Sequence, residues 1–436
     1  MRIRIYFLRR SKMKRFNKTK TALVIISVLG ISAQVNAGGL PEALTGGKVS
    51  GEVKTLFINS SYTDANSQAG PLDNNNIGSA AVQLNYDSGD FNGFKASVGI
   101  QAGKDFELHD NASEDDSRGT ITATTLYKGH LDYNFDESKT KTQIRVGRQS
   151  IVSPLLMDSG MYPMRDSWDG VTVTNKDIPN TTVKAAYITK WVKRYGNDSN
   201  GSVVQEDKEY DDPLYSVHVK NESIKDLALE AQYMSTKQKG NNGDPGTSTI
   251  DGYSTYYTKA EYKLPTAHPV KIGVMHAGAA FDNAAEKDTS LSGINVGTKV
   301  KSVGLNVAYT TIDDDNDYPG TLGHVPNFQT FNNVLINDDM FAGTKITSVK
   351  VSPDFKVAGL KTDLSYAKFS QSAAGISNSA TNLDGASELA LDVKYDIPTV
   401  KGLSTRIGLA KVDYDLPDAS KDSDMDYARV HLNYKF

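Results

Sequence analysis

His130 stands between Lys128 and Asp132 at alternate positions, an arrangement in which an imidazole could act as a general base. A hydrolase would add a serine and an acid to it. Beyond residue 37, however, the chain holds no G-x-S-x-G, H-E-x-x-H, G-x-G-x-x-G or P-loop, and its seven histidines are scattered without metal-ligand spacing. The histidine is therefore expected to line a wall, not to catalyse. Two acidic runs, "DDDND" at 313–317 and "DSDMD" at 422–426, place oxygens at alternate positions, so that Asp313, Asp315 and Asp317 could take Ca²⁺. Neither run has the glycine at position six or the bidentate glutamate of an EF-hand loop. Cysteine is absent, which excludes a thiolate metal site and a cysteine nucleophile. No enzyme activity and no cofactor are expected, with loop-bound Ca²⁺ the one candidate ion.

What, then, do the charged residues serve? Residues 1–37 carry nine Lys/Arg and no acid, then the apolar run Ala22–Ala33 and a small-residue cleavage pattern at Val35-Asn36-Ala37. This is a secretory signal peptide, its core too short to span a bilayer, and the long basic lead points to a start at Met13. Its removal leaves 39 basic against 52 acidic residues, a net of −13. Such a chain is not built for nucleic acid. An exported protein without disulfides needs an extensive backbone hydrogen-bond network.

Alternation supplies that network. Ala80/Val82/Leu84/Tyr86, Phe94/Ala96/Val98/Ile100, Tyr127/Gly129/Leu131/Tyr133, Val303/Leu305/Val307/Tyr309 and Leu403/Thr405/Ile407/Leu409 each place apolar residues on one face. With the weaker segments 168–176, 290–297 and 344–352, about 18 strands are expected. Eight tight turns, among them 87–93, 177–180, 295–299 and 396–401, alternate with nine longer polar segments such as 104–120 and 311–343. Greek-key sandwiches do not give that rhythm. An up-and-down antiparallel transmembrane β-barrel does, with turns at one rim and loops at the other. Tyr86, Phe94, Tyr133, Phe135, Tyr262, Tyr366 and Tyr395 lie beside the tight turns, where an aromatic girdle belongs.

The third long connection departs from the rest. Within Arg145–Gly170 it holds Ile151, Val152, Leu155, Leu156, Met157, Met161 and Met164 among Asp158, Arg165 and Asp166. A loop with that much apolar surface should be buried. Inside a wide barrel the place for it is the lumen, so 150–168 is expected to form a constriction.

The first strand "GKVSGEVKTLF" and the pattern "VGRQ…SPLL-D…-YP---DSWDGV" resemble the OprD-type outer-membrane porins, and also the major porins of Campylobacter-like bacteria. The resemblance runs over most of residues 38–436. It implies an 18-stranded barrel, a constriction loop, a ladder of basic residues along the lumen, and a homotrimer. It also implies that the terminal aromatic, Phe436, is a signal to the barrel-assembly machinery. Alternation assigns Lys54, Lys128, Arg145, Lys184, Lys361, Arg406 and Arg429 to the lumen. Arg148 flanks the loop, while Asp158, Arg165 and Asp166 lie within it. A single β-bulge reverses such assignments downstream of it. The reading is a bacterial outer-membrane porin, bedded in lipid and lipopolysaccharide and passing small hydrophilic solutes. Its rivals are a channel selective for small carboxylates or amino acids, an outer-membrane hydrolase, and a secreted adhesin.

Overall fold

The computed structural model describes residues 39–62, 75–106, 108, 122–158, 160–194, 196–197, 203–204, 207–237, 252–266, 268–323, 331, 340–379, 382–414 and 423–436. The expected leader lies outside these residues. A short helix, α1 (Leu40–Thr45), precedes the sheet. The strands follow as β1 (Lys48–Tyr62), β2 (Asn75–Asp87), β3 (Phe94–Asp105), β4 (Ala123–Asn134), β5 (Thr142–Gln149) and β6 (Ser167–Asn175). Next come β7 (Thr181–Val192), β8 (Asp207–Asn221), β9 (Leu227–Lys237), β10 (Tyr253–Leu264), β11 (Val270–Phe281) and β12 (Thr289–Val300). The last are β13 (Val303–Ile312), β14 (Thr344–Pro353), β15 (Leu360–Gln371), β16 (Ser387–Asp396), β17 (Leu403–Tyr414) and β18 (Ser423–Lys435). A second helix, α2 (Ala373–Asn378), lies in the loop between β15 and β16.

These 18 strands form one sheet in which each pairs antiparallel with its chain neighbours, and a separate two-residue hairpin joins Gly196–Asn197 to Val203–Val204. The sheet closes on itself, because β1 pairs with both β2 and β18, Val53 facing Val82 on one side and Tyr434 on the other. Closure leaves no open edge, as a wall in hydrocarbon requires. At the seam Phe436 and Gly51 exchange backbone hydrogen bonds of 3.0 and 2.9 Å.

The outer face is apolar and uncovered: Leu84, Val98, Leu131, Val274, Val307, Leu364 and Leu432 are all exposed. In water a continuous belt of this kind would be far larger than the patch a monomer tolerates. In a bilayer it is the required surface. Near the turn rim Phe94, Tyr133 and Phe135 cluster with ring centroids 4.7 and 4.8 Å apart. Tyr233, Tyr256 and Tyr309 stand outward nearer the loop ends of their strands, and Tyr187 and Tyr215 stand outward near mid-strand.

Two details differ from the expectation. The segment 295–299 is not a turn but the C-terminal part of β12, whose Gly293 and Gly297 interrupt an otherwise continuous alternation. The turn is Lys301-Ser302, with Lys301 in the left-handed region at φ 53°. The three weaker segments are strands as expected, β6, β12 and β14. The second difference is a bulge in β4: Gly99 pairs with Lys128 and Ile100 with Leu126, which leaves Tyr127 between them. Tyr127 therefore leaves the apolar outer row, is only 3% exposed, and donates its hydroxyl to Asn85.

The core lies inside the barrel, in the loop-bearing half. One cluster joins Leu56, Ile77 and Phe369 of the wall to Phe341 and Leu383 of the loops. Another joins Trp168, Ile188, Met234 and Tyr257 of the wall to Leu155 and Leu156. The inner wall is thus apolar where loops cover it and polar where water reaches it. Turns at the other rim are held by their own carboxylates. Asp354 accepts from Lys356 Nζ at 2.7 Å and from its N–H at 3.1 Å, which holds the carboxyl down to about 2.

Candidate pore constriction

The chain leaves β5 at Gln149 and turns into the barrel. Gly147, at φ +119°, allows the close approach, because a Cβ there would strike the backbone of Gly129. The base of the loop is stapled locally: Ser150 Oγ donates to Asp158 at 2.6 Å, and the Asp158 N–H to Ile151 at 2.8 Å. On one side it is fixed to β9, where Gln232 accepts from the Leu155 N–H at 2.9 Å and donates to Ser153 at 2.9 Å. The loop 313–343 clamps the same stretch through Met157 N–H to Leu322 O (2.9 Å) and Leu322 N–H to Leu155 O (3.1 Å).

The loop then crosses to the opposite wall. Lys54 of β1 donates Nζ to the carbonyls of Gly160 (2.6 Å) and Tyr162 (2.7 Å). Gln83 of β2 donates to Pro163 O at 3.0 Å. Gln101 of β3 exchanges two bonds with the backbone of Arg165, at 2.8 and 2.9 Å. Arg429 of β18 reaches Met161 Sδ at 3.0 Å. The loop thus bridges the lumen from β9 to β1 and β18.

These contacts sort the sequence-derived residues. Lys54 and Arg429 face inward but are 2% and 4% exposed, so they hold the loop from beneath. Asp166 is fully buried and accepts the Arg194 N–H at 2.8 Å, while the Arg194 guanidinium lies 3.7 Å over the Tyr162 ring. Asp158 is buried too, 3.2 Å from Arg165, which also lies 3.8 Å from Glu52. Arg145 makes a bidentate pair with Asp132 at 2.6 and 2.8 Å. Arg406 does the same with Asp392 at 2.8 and 2.7 Å. Lys128 faces inward beside the bulge, 6.0 Å from the Tyr127 ring. Lys184 and Lys361 are exposed on inward positions of β7 and β15. His130 is 8% exposed and hydrogen-bonded through Nδ1 to Arg148 O at 3.1 Å, a wall residue held in place.

Arg148 is a correction. It is paired in register with Gly129 and Asp169, on the face that carries the exposed Val146, and so points outward. There it forms a bidentate pair with Asp169 at 2.7 and 2.8 Å. The lumen-facing carboxylates Glu52, Asp132, Glu230 and Asp392 were missed. Each stands at an alternate position on a polar strand face, and that parity was the available signal. Glu230 collects His218 at 2.9 Å, Lys220 at 3.0 Å and Lys259 at 3.2 Å.

The three aspartates proposed for Ca²⁺ are engaged separately. Asp313 accepts from Thr289 and the Ser290 N–H, Asp315 pairs with Lys287 at 2.7 Å, and Asp317 accepts the Ala342 N–H at 2.7 Å. Among the described residues no three acidic or histidine side chains converge on a metal position. Phe436 closes the last row, exposed on the outer face and stacked on Tyr434 with centroids 6.0 Å apart.

A closed antiparallel barrel with an apolar belt outside, charges inside and loops folded into its lumen is a channel of the porin class. Two cavities lie in that lumen. One of about 480 Å³ is lined by Glu52, Lys128, Arg145, Asp158, Arg165 and Lys435, among others. The other, about 260 Å³, lies under the start of the loop against β5 to β9.

The chain belongs to the OprD family: the model of "outer membrane porin, OprD family" matches residues 44–436. Solved structures agree in fold. OccK3 (OpdO) of Pseudomonas aeruginosa is 15% identical with a TM-score of 0.67, covering 91% of this chain and 98% of its own. OccAB4 of Acinetobacter baumannii is 17% identical with a TM-score of 0.67, covering 89% and 98%. OpdK of Pseudomonas aeruginosa, solved with vanillate, is 12% identical with a TM-score of 0.68, covering 90% and 99%. No curated protein matches the sequence significantly. The protein is accordingly an outer-membrane porin, a channel for passive diffusion of small hydrophilic solutes and not an enzyme.

Proposed function

We propose that the channel favours small anionic solutes, carboxylates above all, and that the loop 150–168 is its constriction. The observation that carries this is the balance of charge in the two lumen cavities. The larger sets Lys128, Arg145, Arg165 and Lys435 against Glu52 and Asp158. The smaller has Lys176 and Lys184, beside an Arg145 that is paired with Asp132, and no carboxylate in its lining. Fixed positive charge in a narrow, low-dielectric passage raises the local concentration of anions and admits them first. The net charge of −13 comes largely from outer loops such as 311–343 and does not set this field. The vanillate in OpdK is a carboxylate bound by a protein of the same fold. Purified protein in planar bilayers is expected to insert in discrete conductance steps. In a KCl gradient its reversal potential should have the sign of anion preference. A cation-preferring reversal potential would refute the reading.

The same reading takes residues 1–37 as an export signal, Phe436 as the mark read by the assembly machinery, and lipopolysaccharide as the outer-leaflet neighbour. For the kinship with Campylobacter-like major porins the support is the resemblance of the first strand "GKVSGEVKTLF" and of the third-loop pattern "VGRQ…SPLL-D…-YP---DSWDGV". For the homotrimer, the supporting feature is the sector β5–β6. These are the two shortest barrel strands, of 8 and 9 residues. Their outward apolar rows are only Ile144/Val146 and Val171/Val173, roughly 7 Å along the strand, against a band of roughly 25 Å. The outward pair Arg148–Asp169 stands directly above them. Lipid covers such a wall poorly, and a second barrel offering the same charges covers it well. Asp169→Lys is expected to convert trimer to monomer on native electrophoresis in mild detergent, with heat-modifiable migration retained. A persistent trimer would place the interface elsewhere.

A further inference from the structure

Five residues below the loop ends of β13, β15 and β17 the outward side chains are Val307, Tyr366 and Leu409. At the same depth on β11 the outward residue is His276. An ionisable side chain turned toward hydrocarbon marks a site whose partner has to be named. His276 is held from both sides, with Nε2 2.9 Å from the Tyr256 hydroxyl and Nδ1 2.9 Å from Ser292 Oγ. A neutral imidazole between two hydroxyls carries three polar hydrogens, and the two bonds use two of them. Whichever tautomer is present, one hydroxyl hydrogen is left over. Among the described residues no acceptor takes it, and hydrocarbon offers none.

The relay is the middle of a longer track on the outer face. His276 faces Ser292 across one strand gap, Ser292 faces Thr311, and Thr311 faces Lys345, all outward. Ser292 lies three residues from the loop end of β12, and Thr311 and Lys345 one residue from theirs. The row therefore climbs to the loop rim, over three strand gaps or roughly 14 Å. Lys368, outward on β15, is the diagonal neighbour of Lys345. Among the described residues neither ammonium has a hydrogen-bond or ion-pair partner. In the other direction His276 faces Thr258, and there an open groove of about 500 Å³ begins. Its outward lining includes Val219, Leu229 and Val274, and the small side chains of Ala231 and Ala260 leave its floor low.

Resting on the reading of lipopolysaccharide as the outer-leaflet neighbour, we propose that this track is a seat for one lipopolysaccharide molecule. Lys345 and Lys368 hold a phosphate at the rim. The Tyr256–His276–Ser292 relay lies roughly 10 Å deeper, given the tilt of barrel strands. It gives its spare hydrogen to a hydroxyl or ester oxygen on an acyl chain, and the groove takes the hydrocarbon beyond. A glycerophospholipid meets only part of this. It has the phosphate, but its ester oxygens lie close beneath it and its chains carry none deeper. The next rim sector steers the headgroup to the lysines, because β17 and β18 turn Asp413, Asp424 and Asp426 outward. The track lies away from the β5–β6 sector and from the lumen, so it is independent of which solute passes.

The test is native mass spectrometry of the purified protein in detergent, titrated with deep-rough lipopolysaccharide, its dephosphorylated form and phosphatidylglycerol. The first is expected to bind tightest. Lys345→Gln/Lys368→Gln should weaken it roughly 30-fold, the scale of two lysines at a charged lipid surface, and should leave the dephosphorylated form unchanged. His276→Leu should weaken it roughly fivefold, the scale of one hydrogen bond, and still fold, since other strands carry apolar residues at this depth. Lys411→Gln is the control, because Lys411 is already paired with Asp424 at 2.6 Å. Three results would overturn the seat: phosphatidylglycerol bound as tightly as lipopolysaccharide, a lysine or histidine variant that titrates like the wild type, or a lipid-free oligomer that His276→Leu abolishes, which would make the track a contact between copies. Binding that no substitution alters counts against the seat alone, whereas no binding of lipopolysaccharide at all counts against the outer-leaflet neighbour as well.

Discussion

Replacing residues 151–164 by a short Gly-Ser linker is expected to raise single-channel conductance several-fold and to abolish discrimination among small solutes by size. The loop is the material that fills the lumen between β9 on one side and β1 and β18 on the other. Its removal leaves a wider lumen, bounded by the 18-stranded wall and the other loops that pack against it. The barrel itself should survive, because the wall is held by inter-strand hydrogen bonds in which the loop takes no part. Arg165 and Asp166 are retained, so the bonds to Gln101 and Arg194 persist. The cost falls on the inner cluster: Leu155 and Leu156, both fully buried, no longer cover Trp168, Met234 and Tyr257. Losing two buried leucines costs several kcal/mol, seen as a lower temperature for the heat-modifiable transition. The measurement is conductance in planar bilayers beside liposome swelling with sugars of graded size. Unchanged conductance would mean that the narrowest point lies in another loop.

How much of this was legible in the sequence follows from what alternation can and cannot carry. The strands were legible because each lipid-facing row had to be apolar and each water-facing row did not, as at Leu403–Leu409. Leu155, Leu156 and the methionines marked the third loop as one that buries apolar surface, and both leucines are buried against wall residues. Tyr127 was not legible, because it depends on where a strand slips by one residue, and a bulge leaves no composition signal of its own. Arg148 was readable by parity, two residues beyond the outward Val146, and its place beside the loop misdirected the assignment. At Tyr127 the extra residue turns a tyrosine from the lipid row into the lumen. At Arg148 the loop's charge continues onto the outer face and pairs with Asp169. Apolar residues on both faces at Leu56-Phe57-Ile58 show a different limit. They look like a stretch without alternation until the loops that cover Leu56 and Ile58 from inside are known. The carboxylate partners of the ladder were hidden for a simpler reason. Cross-strand pairing of Asp132 with Arg145 requires register, which the strand sequences do not state.

Those carboxylates decide the direction of the second large effect. Arg145→Gln/Arg406→Gln is expected to move the reversal potential toward cation preference, most at low salt. Each arginine is locked to an aspartate on the next strand by two hydrogen bonds, so each pair is close to neutral as it stands. Neutralising the arginine does more than subtract a positive charge. It strands Asp132 or Asp392 on the lumen wall with no counter-charge of equal geometry, although Lys394 stays 3.7 Å from Asp392. A stranded charge acts on a passing ion with roughly 1 kcal/mol at 4 Å in water, about fivefold in the local concentration of each ion at each site, up for cations and down for anions. At 0.1 M salt the field reaches roughly 10 Å, and at 1 M roughly 3 Å, so the shift should shrink as salt rises. The carboxylate changes Asp132→Asn/Asp392→Asn free two guanidinium groups and should move the potential the opposite way. Combining both sets restores neutrality at each site and should return the potential most of the way to its starting value. If instead the arginine and aspartate variants moved it in the same direction, or not at all at low salt, neither pair would stand on the permeation path. Selectivity would then reside in the cations near the loop itself, Lys128, Arg165 and Lys435.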